Sequence, residues 1–326
     1  MHATNFDDKT IKDKIMKRLF IVVAALVFAA AAVSAQDINS ATETYNNGVA
    51  ALQGGDNAGA LALFKEALSQ GEACGEDGEE LVANCKNVIP GIILSVAKGQ
   101  INDGSYDDAV TSLKDAAAKA KEYGIESVAE EAEGLIPNAL LRKGSTLLKE
   151  KKFDAAADAF KEVVAITPED GQAHLLLGQA LLQANKSEEA VAALEQAAAN
   201  GKEEQAGKLL STTYLKEAAA ALKANKFNEA IEAADKANSY AENAQAYLIA
   251  GQAAQKGGKD AVAIDNFEKY LVASPGAKNA GAITFTLAAL YQKAGNKAKA
   301  LENYKKIEGD AQFGAQAKQQ IETLSK

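Results

Sequence analysis

Few residues of this 326-residue chain are of types that do chemistry, so each can be weighed in turn. Cys74 and Cys85 flank the turn-forming stretch "GEDG". In an exported protein a pair at this range is expected to form a disulfide; two free thiols, one of them buried, is the alternative. Structural zinc takes four N or S ligands, and two sulfurs without a neighbouring His fall short, so no metal and no cofactor is expected. There are two histidines. His2 lies at the extreme N-terminus, and His174 stands inside the apolar run "AHLLLG", where a packing role is expected. Ser-His-Asp or Cys-His catalysis would therefore rest on His174 alone. The stretch "GKEEQAGK" at 201–208 has five residues between its glycines and no Ser or Thr after Lys208, so it is no phosphate loop. The carboxylate pairs Glu130/Glu131 and Asp107/Asp108 fall at helix starts or polar faces, where solvation explains them. No catalytic site is visible, and the chain is read as not an enzyme.

What remains is an architecture. Ala, Lys, Glu and Gln dominate, with four Pro, no Trp and 6% aromatics, a composition that favours helix and disfavours strand. The net charge is −9, and the cations form no run outside the N-terminus, so a nucleic-acid partner is not expected. From Met16 the chain reads "MKRLFIVVAALVFAAAAVSAQ": two cations, an apolar run from Leu19 to Val33, then Val33-Ser34-Ala35. This is the pattern of a secretory signal peptide cut after Ala35, with a membrane anchor as the alternative. The run is shorter than the roughly 20 residues that span a bilayer. The polar residues 1–15 sit awkwardly before it and are read as a non-native extension. Gln36 rather than Cys follows the cut, so lipid attachment is not available there. The expected product is exported, periplasmic or secreted, with no membrane insertion after cleavage.

Along the rest of the chain one skeleton returns. Two small residues twelve apart recur as Gly48/Ala60, Ala97/Ala109, Gly144/Ala156, Gly178/Ala190, Ala218/Ala230, Gly251/Ala263 and Ala288/Ala300. Four residues after each second member stands Phe64, Leu113, Phe160, Leu194, Ala234, Phe267 or Tyr304. Turn sequences such as "GGDN", "NDGS", "ANKS" and "KGGK" lie between the two halves. Small residues in fixed register let two helices approach closely while bulky neighbours fill the flanks. The spacing thus predicts a helical hairpin repeated about seven times.

This pattern resembles the tetratricopeptide repeat, over roughly residues 40–310 and most closely from Gly171 to Gly309. The family's bulky first-helix residue appears as His174, Tyr214 and Tyr247, and its closing proline as Pro168 and Pro275. The fifth repeat departs, with alanine at both its glycine and its large second-helix position, Ala218 and Ala234, which predicts a thinner core there. The resemblance implies an all-α, right-handed superhelical solenoid of about seven helix-turn-helix repeats. The expected divisions are a non-native extension (1–15), a signal peptide (16–35), N-terminal repeats (36–150), regular repeats (151–310) and a capping helix (311–326). Pro90 and Pro137, each 19 residues before Ala109 and Ala156, predict extended first helices over about 77–102 and 125–150. These are kinked or interrupted at the proline, or each is two short helices with a tight junction.

Stacked hairpins curve, and their first helices line a concave face suited to a peptide or helix of another protein. With His174, Leu177, Gly178 and Leu181 packing inward, Leu175, Gln179 and Leu182 fall one step round the helix. The same stripe runs through Leu141 and Ser145 before it, and through Leu215, Ala219 and Leu222, then Leu248, Gln252 and Gln255, then Phe285, Ala289 and Gln292 after it. These are groove positions in the resembling family. Members that grip a C-terminal carboxylate place Lys and Asn there; this chain places Leu and Gln, so that clamp is not expected. Leucines partly exposed at regular spacing suggest an apolar or amphipathic partner, while the alternative has them filling a tightly closed array. The function read from the sequence is a non-catalytic protein-interaction scaffold of the cell envelope, or alternatively a self-associating structural component.

Overall fold

The structure is a computed structural model and describes residues 35–325. The expectations for 1–34, extension and signal peptide alike, fall outside it. Among the described residues the chain forms seven consecutive hairpins and a final helix, with no strand. The hairpins are α1 (Ala35–Gln53) with α2 (Asn57–Ala73), α3 (Glu79–Asp103) with α4 (Tyr106–Glu122), and α5 (Glu126–Lys149) with α6 (Phe153–Ile166). Then come α7 (Gly171–Gln183) with α8 (Ser187–Ala197), α9 (Glu203–Lys223) with α10 (Phe227–Tyr240), α11 (Ala244–Lys256) with α12 (Asp260–Ala273), and α13 (Ala280–Lys293) with α14 (Lys297–Lys306). Helix α15 (Gly314–Ser325) ends the chain. Two compact units divide it, one ending at Thr167 and the other beginning at Pro168.

The predicted register is what locks each hairpin. A Cβ added to Gly144 would lie 2.6 Å from the Phe160 ring; at Gly251 it would lie 2.6 Å from Phe267, and at Gly178 2.6 Å from Leu194. Gly48 faces Phe64 in the same way, at 3.2 Å. All four partners are fully buried. In the fifth hairpin the same place is filled by a layer of small residues, Ala218, Ala233, Ala234 and Ala237, against Ile249 of α11. The thin core expected there is present.

The turns inside the hairpins are equally regular. A residue in the left-handed region, seven beyond the first small residue, closes every first helix: Gly55, Gly104, Lys151, Asn185, Asn225, Gly258 and Gly295. The next residue donates its N–H to the carbonyl five positions back, at 2.8–3.0 Å, from Asp56 N–Ala51 O to Asn296 N–Tyr291 O. This bond satisfies a carbonyl that the helix end leaves free. Six of these positions hold Gly or Asn, which tolerate the conformation; Lys151, at φ 61°, does not fit that pattern.

In the N-terminal unit α3 and α5 are each continuous through their proline, matching the extended first helices and excluding the pair of short ones. Each proline removes one N–H from the helix ladder, and packing against the neighbouring helices holds the turn closed. Within Gly75–Asp103 an 18-residue window reaches a mean hydropathy of 1.3, long and apolar enough by composition to cross a membrane. Its apolarity has a structural use, because Leu81, Cys85, Val88, Ile89, Ile92 and Ile93 are buried in the core. In the C-terminal unit α15 covers the last hairpin. Ala317 is buried, and Phe313, Ile321 and Leu324 pack on the cluster that holds Phe267, Leu287 and Tyr304. That is the capping role expected of the terminal stretch.

Candidate functional site

Among the described residues no catalytic constellation forms from those weighed above; His2 lies outside them. His174 is half-buried, and one ring nitrogen, Nε2, lies 2.8 Å from the Pro168 carbonyl, tying α7 to the turn before it. Its Nδ1 is buried without a hydrogen-bond partner. Among the described residues no group of three His, Cys, Asp or Glu could hold a metal ion.

The cysteine pair is corrected by the structure. Cys74 and Cys85 are both free thiols, Cys74 half-buried and Cys85 buried. Cys74 caps the C-terminus of α2, whereas Cys85 points inward from α3 with no exposed surface. The intervening 3₁₀ turn, Gly75–Gly78, seats Gly78 against the carbonyl of Gly71, and a Cβ at Gly78 would overlap it. That close backbone contact, rather than a sulfur bridge, joins α2 to α3. Burial pushes the Cys85 thiol up to about 12. Beside it, Tyr45 is 1% exposed and its hydroxyl has no partner.

The groove stripe is part core and part surface. Leu175 and Leu248 are only 4% and 7% exposed and sit in core clusters, so the expectation of exposed leucines is wrong at these two positions. Leu175 shares its cluster with Leu210 of α9, and Leu248 shares its cluster with Ile283 of α13. Leu182, Leu215, Leu222 and Phe285 are half-buried, as are Gln179, Gln252 and Gln292; Gln255 and the two alanines, Ala219 and Ala289, are exposed. Phe285 is engaged edge-on by Tyr304 and tilted against Phe313, so it anchors the cap. Gln292 accepts a hydrogen bond from the Tyr304 hydroxyl at 3.1 Å. In the N-terminal unit Leu141 and Ser145 are half-buried and line a recess of about 230 Å³ with Tyr106, Arg142 and Lys149.

In the α7–α8 and α11–α12 hairpins charge is sorted between the two helices, a signal visible in the sequence that hydrophobic spacing does not register. Helices α7, α11 and α13 contain no Asp or Glu; their only charged residues are Lys256 and Lys293. The second helices α8, α10 and α12 carry Glu188, Glu189, Glu195, Glu229, Glu232, Asp235, Asp260, Asp265 and Glu268. Helix α10 also lines a recess of about 430 Å³, bounded by Ile231, Asp235, Lys236 and Lys259. Burial raises the Asp235 carboxyl there, Lys269 opposing and Asp265 adding to the shift. Within the fifth hairpin Tyr214 of α9 stacks on Tyr240 of α10 at 5.8 Å, and the Tyr240 hydroxyl reaches the preceding hairpin, donating to Glu195 of α8 at 2.7 Å. That hydrogen bond, with burial, pushes Tyr240 up to about 12.

Consecutive hairpins, most of them locked by a small residue against a buried bulky one, define a helical-repeat scaffold. Tetratricopeptide-repeat profiles match residues 97–170, 147–212 and 215–278. The chain belongs to the tetratricopeptide repeat family, and it is a protein–protein interaction scaffold of a kind that is typically non-catalytic. Among solved structures it is similar to MamA of strain AMB-1, at 21% identity over 54% of this chain and 92% of that one, with a TM-score of 0.35. It is also similar to MamA from residue 41 to the end from Desulfovibrio magneticus RS-1 (21%, 62% and 93%, TM-score 0.29). A thermophilic TPR protein of Thermus thermophilus is similar too (20%, 58% and 98%, TM-score 0.26). No curated protein matches the chain in sequence.

Proposed function

We propose that this protein is an exported scaffold that receives a peptide or helix of another protein on the first-helix face of its C-terminal unit. The observation that carries the reading is the mixed surface of α7, α9, α11 and α13. Half-buried Leu182, Leu215 and Leu222 alternate there with Gln179, Gln252 and exposed Ala219. Apolar side chains interleaved with neutral hydrogen-bonding ones suit an amphipathic segment. The test is crosslinking in the native envelope with an Ala219→Trp chain, which blocks the face from an exposed position. Loss of the crosslinks at an unchanged Tm supports the reading; crosslinks that persist refute it.

Export rests on the charged start, the short apolar run and Val33-Ser34-Ala35. A cut after Ala35 leaves the first hairpin its whole core, since Ala41 and Tyr45 of α1 lie beyond it. Mass spectrometry of the secreted or periplasmic protein should give Gln36 as the first residue; residues 16–35 still attached would overturn this. Self-association is favoured by one observation, Val272 on α12, 81% exposed with Val262 36% exposed on the same helix. Light scattering that returns a stable oligomer would move the reading there.

A further inference from the structure

We infer that the segment received by this face is acidic as well as amphipathic; the inference rests on the binding reading above and names the chemistry of its occupant. Helix α9 carries two parallel stripes. Leu215, Ala219 and Leu222 form one, and Lys216, Ala220 and Lys223, each one residue further on, form the other. All three members of the second stripe are exposed. Helix α9 packs against the next first helix, α11. There Gln255 and Lys256 occupy the hairpin positions of Leu222 and Lys223, and both are exposed.

Lys208, Lys226, Lys236, Lys269, Lys293, Lys299 and Lys306 each hold a carboxylate. Among the described residues Lys216, Lys223 and Lys256 have no such partner. These lysines are set apart by their place on first helices, since among the described residues Lys202, Lys259, Lys278, Lys297, Lys305 and Lys318 of the unit hold no carboxylate either. The carboxylates that could neutralise them have been placed on the second helices, and α9 itself adds only Glu217 beyond its first turn. Lysines near a helix C-terminus also complement the helix dipole, which accounts for Lys223 and Lys256 in part. It does not account for Lys216, two turns from the end, nor for the absence of acid on α11 and α13. In a chain of net charge −9, unpaired cations beside half-buried leucines are complementary to a segment with carboxylates flanking apolar anchors. The apolar residues of that segment would seat on Leu215, Ala219 and Leu222, and its carboxylates would meet Lys216, Lys223 and Lys256.

The experiment is fluorescence anisotropy with the full chain and three labelled amphipathic model peptides that share their leucines and differ in having Glu, Gln or Lys at every other position. The Glu peptide should bind most tightly, and its affinity should fall as salt is raised. The triple variant Lys216→Glu, Lys223→Glu, Lys256→Glu should weaken it about tenfold or more. Reversal of Lys226 and Lys236 on the second-helix side should change it little. If the Gln peptide binds as well as the Glu peptide and Ala219→Trp abolishes both, the face binds partners but the acidic inference falls. Preferential binding of the Lys peptide overturns it too, and if none of the three binds, both readings fall. A dimer of the free chain that the triple variant dissolves would assign the face to a second copy, and so overturn it as well.

Discussion

Gly144 and Gly134 lie on the same helix, α5, and the same substitution should move stability in opposite directions at the two. Replacing an exposed mid-helix glycine by alanine removes backbone freedom from the unfolded chain and stabilises by about 1 kcal/mol. At Gly134 nothing lies within 4 Å of the added Cβ, so Gly134→Ala should show that gain in full. At Gly144 the added Cβ meets Phe160 Cε1 at 2.6 Å and Cζ at 2.7 Å. Carbon atoms sit best at about 3.5–4.0 Å, so the ring must retreat by about 1 Å. Phe160 has no exposed surface and cannot swing into solvent. Overpacking of this kind costs about 1–3 kcal/mol, which leaves Gly144→Ala destabilised by about 0–2 kcal/mol. The two variants should therefore part by about 1–3 kcal/mol, with about 2–4 °C in Tm for each kcal/mol, read by circular dichroism melts at 222 nm. Adding Phe160→Leu should make Gly144→Ala favourable, because the offending ring is gone. If Gly144→Ala raises Tm as Gly134→Ala does, the hairpin register described above is wrong.

Four further outcomes are expected. Tyr45→Phe should raise stability by about 1 kcal/mol, since it deletes a buried hydroxyl without a partner and keeps the edge-on contact with Phe64; a loss of stability would reveal a partner for it. In an alkaline titration Tyr45, raised to about 12 by burial and secondarily by Cys85, favours its neutral form in the folded state. Its contribution to stability is full below about pH 10 and is lost as pH rises toward 12, so Tyr45→Phe should flatten that decline; an unchanged slope refutes this. Thiol labelling at pH 8 should modify Cys74 slowly, because burial first and then Asp37 and Asp77 push its thiol up, but well before Cys85, which should react only on unfolding; two unreactive thiols in freshly isolated protein would restore the disulfide. Leu248→Glu should lower Tm by roughly 6 °C or more, because it forces a carboxylate into the core, while Gln255→Glu should leave Tm unchanged; equal effects would contradict the burial difference.

The contacts between the two helices of a hairpin were legible in the sequence because both partners lie on adjacent helices at a fixed distance along the chain. Gly144 with Phe160 and Gly251 with Phe267 are read directly from spacing. Exposure on the first-helix stripe was not legible, since Leu175 and Leu248 are covered by the next hairpin. How far a neighbouring helix reaches depends on side chains more than thirty residues away, such as Leu210 and Ile283. The prolines of α3 and α5 likewise permitted two outcomes, and packing on both sides of the helix decided for continuity. The cysteines followed a rule about compartment, and the local close approach of Gly71 and Gly78 overrode it. Lys151 was missed because propensity reserves the left-handed turn for Gly and Asn; the six conforming turns fix the geometry and Lys151 follows them.

Those seven matching turns bear on how the chain comes apart and how it could have grown. Lys152, Lys186, Lys226 and Lys259 each follow a left-handed residue and are pinned by a backbone hydrogen bond to the helix before them. Lys278, in the stretch between α12 and α13, is exposed and outside any helix. A protease selective for lysine should therefore nick between hairpins before it nicks within one, giving fragments that end at hairpin borders. Gene duplication meets the same constraint. A crossover at a junction adds or removes an intact cassette, whereas one inside a turn parts a glycine from the ring it accommodates.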